Sequence, residues 1–74
     1  MAAVKIIELI GTSSKSSDDA VQQALAEARS SLRNIKAVDL VSTGLRGDNL
    51  DEWRAHVRVA FLVERVGEYR YFVS

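Results

Sequence analysis

One stretch limits the folds open to this chain: residues 16–34, SSDDAVQQALAEARSSLRN. Val21, Ala24, Leu25, Ala28 and Leu32 fall on one side of a 3.6-residue period, while Gln22, Gln23, Glu27, Arg29 and Arg33 fall off it. The spacing predicts a single amphipathic helix. Ser16 or Ser17 can accept from the free N–H groups of its first turn. Asp18 and Asp19 lie where the helix dipole favours negative charge, and Arg33 suits the opposite pole. A lone apolar stripe is buried against one surface only, so the flanking segments must supply that surface.

Those segments read as strands. Residues 4–10 (VKIIELI) are rich in β-branched side chains and end at Gly11. Val4, Ile6 and Ile10 share one face of this strand, and Ile7 and Leu9 the other, so it needs cover on both sides. Residues 37–45 (AVDLVSTGL) read as a second strand, with Val38 and Leu40 on one face and Asp39, Val41 and Thr43 on the other; Gly44 suggests a bulge or bend. Residues 53–63 (WRAHVRVAFLV) alternate most strictly. Trp53, Ala55, Val57, Val59, Phe61 and Val63 form an apolar row, and Arg54, His56, Arg58, Ala60 and Leu62 form the opposite one. That second row reads either as a solvated face with paired arginines or as a ligand-facing wall. Arg46, Gly47, Asp48 and Asn49 make a turn between the two long strands, which implies a hairpin. The letters RGD within it read as turn chemistry.

The architecture implied is α+β in the order β-α-β-β, a three-stranded antiparallel sheet wrapped around one helix. Residues 1–66 form the domain. Residues 67–74 form an extension with a possible short strand, whose Tyr69, Tyr71 and Phe72 should dock on the domain or on a neighbouring subunit.

Composition decides what must stabilise such a domain. With 74 residues, it buries roughly 60% of its unfolded surface and needs a disulfide, a metal or an oligomer to help. There is no cysteine and only one histidine. Self-association is what remains. Ten basic and ten acidic side chains cancel, which speaks against a nucleic-acid module. The apolar run at residues 4–10 is short and broken by Glu8, so no stretch reads as a membrane span or secretion signal. The expectation is a soluble, cytoplasmic protein with no membrane or nucleic-acid partner.

Beyond the pattern, specific residues resemble the dodecin family. They are residues 5–13 (KIIELIGTS), the helix with Ala20, Ala24, Leu25 and Ala28, the run from Leu32 through Arg33 and Asn34 to Ile35, and the closing strand with Val57, Arg58, Val59, Ala60 and Phe61. The resemblance covers about residues 4–64. It implies a hollow homododecamer that binds riboflavin, FMN or lumichrome, in storage or sequestration and not as an enzyme. It also implies where the ligand would lie. The tryptophan on which flavin-binding members stack the ring corresponds to Ala37, and the glutamine that hydrogen-bonds the ring corresponds to Arg54. The aromatic platform is thus missing, and a neutral partner has become cationic. Trp53 points to the opposite face from Arg54 and does not replace the platform.

Three functions follow as expectations. The first is a dodecin-like homododecamer holding a small ligand at Ala37, Arg54, His56 and Arg58. The ligand is a flavin by resemblance, with binding weakened or lost, or another aromatic or anionic molecule, the basic residues suiting a group such as a nucleotide phosphate. The second is a calcium-binding or purely structural assembly, with Asp39, Asp48, Asp51 or Glu52 as oxygen ligands, although no calcium-loop motif is present. The third, an enzyme, has least support, because His56 has no nucleophile in evident partnership. Residues 11–16 (GTSSKS) lead into the helix and could also hold an anion, but they lack the spacing of a phosphate-binding loop.

Overall fold

In the computed structural model, which describes residues 2–66 and 70–72 and the side chains of residues 3–63, the chain runs β1 (Ala2–Ser13), α1 (Ser17–Ser31), β2 (Ile35–Arg46), β3 (Glu52–Val66) and β4 (Arg70–Phe72). β3 lies between β1 and β2, antiparallel to both, and the helix packs on one face of this sheet. Beyond the start of β2, the short β4 continues along β3, pairing with residues 64–66. The three long strands and the helix are those expected from sequence. Each strand extends past its apolar run, because backbone pairing continues where side-chain periodicity has stopped.

The helix begins as anticipated. Ser16 is its N-cap, accepting from the Asp19 amide at 3.0 Å, with Asp18 and Asp19 in the first turn. It ends earlier than the sequence implied, at Ser31, so that Arg29 and not Arg33 occupies the last turn. Asn34 then takes a left-handed conformation (φ 57°), and its carbonyl accepts from the Leu62 amide at 2.9 Å, fastening the turn to β3.

The core is thin and built from small residues. Ala20, Ala24 and Ala28 on the helix are buried, as are Ala55, Val57, Val59, Phe61 and Val63 on β3. This confirms the odd-numbered row of β3 as the inward one. On the helix, the alanines at i, i+4 and i+8 make the close contact, whereas Val21, Leu25 and Leu32 are only half-buried at its margin. Gly11 explains why. It is buried beneath the helix, and a Cβ there would collide with the Ala20 carbonyl oxygen and come within 2.8 Å of the Ala24 nitrogen. The helix therefore approaches β1 to backbone contact, which only glycine facing alanine permits.

Two register shifts break β2, one between Ile35 and Ala37 and one between Leu40 and Ser42. The second corrects the expectation that Gly44 marks the bulge, since Gly44 pairs in register with Arg54. It also splits a face. Asp39 stands opposite Arg58 on the outer side of the sheet, while Thr43 stands opposite Ala55 on the helix side. Arg46 pairs with Glu52 to close the hairpin, and Gly47 (φ 95°) and Leu50 (φ 52°) shape the turn, with the Leu50 amide donating to the Gly47 carbonyl at 3.1 Å.

The protomer is elongated, 52 × 19 × 17 Å, with a radius of gyration of 14.7 Å. A chain of this length packed evenly would show about 11 Å. Gly11→Ala should lower stability by about 3 kcal/mol or more, because the added methyl meets backbone and not a side chain that can move. Leu25→Ala should cost only about 1–2 kcal/mol, because Leu25 is only partly buried in the protomer and lies outside the core cluster. Chemical denaturation of the two variants checks the order; an equal loss would mean that the helix does not sit on Gly11.

Candidate functional site

The sheet face turned away from the helix carries the residues singled out by sequence. The pairing sets them in rungs across β1, β3 and β2: Ile6, Ala60 and Ala37; Glu8, Arg58 and Asp39; Ile10, His56 and Ser42; Thr12, Arg54 and Gly44. Val4 and Leu62 extend the first end, and Glu52 and Arg46 extend the last. The face is thus apolar toward the start of β1 and charged toward the hairpin. Val4, Ile6 and Ile10 are 60%, 56% and 61% exposed.

The charges are largely paired along this face. Glu8 takes two partners, His56 through Nε2 to Oε2 at 3.3 Å and Arg58 through Nη2 to Oε1 at 3.4 Å. Arg54 grips Glu52 Oε2 with both Nε and Nη2, each at 3.1 Å. All of these groups are partly exposed, so the pairs orient side chains more than they stabilise the fold. Arg46 differs. Its Nη1 donates to the carbonyl of its neighbour Leu45 at 2.9 Å, and among the described residues no carboxylate pairs with it.

A cavity of about 140 Å³ opens on this face near the hairpin, lined by Ile10, Ser42, Gly44, Arg46, Arg54 and His56. Arg54 and His56, both singled out by sequence, are brought together here. Arg58 stands one rung away, joined to His56 through Glu8. Ala37 is on the same face but not at the same place. It sits across from Ala60, six residues along β3 from Arg54, or about 20 Å. It also edges a wider, open cleft of about 490 Å³ beside the helix end, with Leu25, Leu32, Ile35, Arg29 and Lys36. One small ligand cannot touch both Ala37 and Arg54 of a single protomer; two protomers would have to contribute.

Arg46 is the residue that sequence reasoning missed, hidden in the turn. Its signal was Gly44 two residues earlier: a Cβ on Gly44 would lie 2.9 Å from Arg46 Nη1, so the glycine leaves the guanidinium room to lie over the strand. Trp53 is half-buried on the helix side, across from Ser13 and Leu45, as its parity with Arg54 required. No aromatic side chain among those described lies on the outer face, so a stacked flavin ring lacks its platform there.

The loop before the helix is not arranged for an anion. Ser13 Oγ donates to Asp19 Oδ2 at 2.6 Å and accepts from the Lys15 amide at 2.9 Å, and the cleft beside it is lined by Asp51 and Glu52. The carboxylates hold the place an anion would take. Among the described residues, no group of three histidine, aspartate or glutamate side chains could hold a metal ion. No helix among them is long and apolar enough to cross a membrane.

Comparison with known proteins agrees with this architecture. The Dodecin family profile matches residues 3–64. The chain belongs to the dodecin family. A point mutant of the Thermus thermophilus dodecin is 31% identical, with a TM-score of 0.77 over 89% of this chain and 100% of that one. The Streptomyces coelicolor dodecin superposes with a TM-score of 0.80 at 21% identity, over 88% and 96% of the two chains. A Mycobacterium tuberculosis antigen described as a calcium dodecin with a novel calcium-binding site gives 0.74 at 24% identity, over 92% and 97%. The last two likenesses concern the fold. No curated protein matches the sequence.

Ala37→Trp should supply the missing aromatic surface on the outer face. Riboflavin fluorescence should then be quenched more strongly than by the parent protein at equal concentration. Unchanged fluorescence from a normally assembled variant would mean that position 37 does not face the ligand.

Proposed function

We propose that this dodecin is a homododecamer that sequesters a small anionic ligand in the cytoplasm and does not turn it over. The observation that carries the assembly is the outer sheet face, where Val4 and Ile6 stand more than half exposed in an isolated protomer that is also elongated. A chain without cysteine has no disulfide to compensate for so thin a core. A second copy laid over the apolar end of that face supplies the missing burial. The extension at residues 67–74 docks on its own domain or on a neighbour in this reading.

The ligand reading rests on the charged end. Arg54 and His56 share one cavity, and Arg58 lies a rung away. Flavin is the family's ligand, and an isoalloxazine ring finds no aromatic partner among the described side chains of this face. FMN and riboflavin binding are therefore weak, and Ala37 is where the ring contact has been lost. Calcium is the second reading, by likeness to the calcium dodecin, with Asp39, Asp48, Asp51 or Glu52 as oxygen donors; among the described residues no three acids or histidines gather into a metal site, so a neighbouring chain would have to complete it.

Sedimentation equilibrium of the purified protein at micromolar concentration should give a mass near that of a dodecamer of 8.2 kDa chains. A monomer at that concentration would contradict the assembly.

A further inference from the structure

The family profile matches residues 3–64, and β4 lies beyond them. Glu64 pairs with Ala2 on the β1 edge of β3, so Phe72, its other partner, takes the edge that β2 also uses. β2 begins on that edge with Ile35 across from Phe61, and the Asn34 carbonyl accepts from the Leu62 amide just before it. The end of β4 is therefore two β3 residues from Asn34, or about 7 Å. β4 runs antiparallel to β3, so it heads toward Asn34. Residues 73 and 74 span about the same 7 Å. The edge ahead is already occupied by β2, and the chain must leave the line of the sheet there.

Asn34 is also a wall of the open cleft beside the helix end. The floor of that cleft is apolar, formed by Leu25, Leu32 and Ile35, all only partly buried in the protomer. Its rim is basic, with Arg29 and Lys36 both exposed and paired to no carboxylate among the described residues. An apolar floor under a cationic rim suits an aromatic ring, which buries its body and offers its face to a cation. The run Tyr71, Phe72, Val73 has that chemistry.

We propose that Tyr71 and Val73 fill the helix-end cleft of their own chain, so that the extension straps the helix end to the sheet. The inference rests on the reading that residues 67–74 dock, and it names the place and the occupant. Position 71 is in register with position 65, which continues the helix-side row of Val59, Phe61 and Val63. Alternation puts position 73 in the same row. The occupant is the same chain because β4 already brings position 72 within reach, and a segment from a neighbour would have to enter past it.

The test uses the full-length assembled protein. The chain has no cysteine, so Lys36→Cys with Val73→Cys introduces a single pair of thiols per chain. Mild oxidation should join them within one chain, giving a monomer band on a non-reducing denaturing gel. In a second measurement, Lys36→Cys alone should react with a maleimide several-fold faster when Tyr71→Ser and Val73→Ser are added, with the sedimentation profile unchanged. A disulfide-linked dimer band in place of the monomer would overturn docking on the same chain and leave the broader reading intact, with the extension on a neighbour. No disulfide, with maleimide rates equal in the two backgrounds, would overturn both.

Discussion

The close approach of the helix to β1 at Gly11 is the contact on which the rest depends. With no Cβ on Gly11 and only methyl groups on Ala20, Ala24 and Ala28, the helix comes down to the level of the sheet backbone. That closeness lets so short a chain bury Val57, Val59 and Phe61 completely. It also uses up the single helix on one face. Hydrophobic burial scales with area removed from water, and a domain with one thin core has little of it. The apolar residues on the other face, Val4 and Ile6 among them, are then left exposed in the protomer.

The same sheet divides its outer face between two tasks. Toward the start of β1 it is apolar and suited to a neighbour. Toward the hairpin it is polar, with acids and bases paired in a row from Arg58 through Glu8 to His56 and from Arg54 to Glu52. A row of paired charges has little net pull on a ligand. Arg46, which has no carboxylate partner among the described residues, lines the cavity at this end. Ala37 lies at the apolar end, across from Ala60, and in the function proposed above it is where the ring contact is lost.

Much of this was legible in the sequence. The odd row from Ala55 to Val63 faces the helix as its alternation said, because a strand with one buried face has its register set by that face. The helix start was readable from Ser16, Asp18 and Asp19, since capping is local chemistry. The helix stripe was read in part: Val21, Leu25 and Leu32 stood in it as equals of Ala24 and Ala28, but the alanines, with Ala20, make the buried contact, because Gly11 selects small partners and nothing within the helix reveals that. The shift at Val41 was also hidden. A bulge is a property of two paired strands, and Gly44 drew attention to the wrong residue. Arg46 looked like turn chemistry until its pairing with Glu52 placed it over the outer face. The expectation for Tyr69, Tyr71 and Phe72 falls on side chains outside those described.

The claim that a second copy covers the apolar end of the outer face can be measured at a single residue. The chain has no cysteine, so Ile6→Cys introduces its only thiol. Its rate of reaction with a maleimide, in the native protein, should be far below that of Ser30→Cys on the exposed side of the helix, and the two rates should converge in denaturant. Equal rates in the native protein would mean that Ile6 is open to water in solution and that the outer face is not where the copies meet.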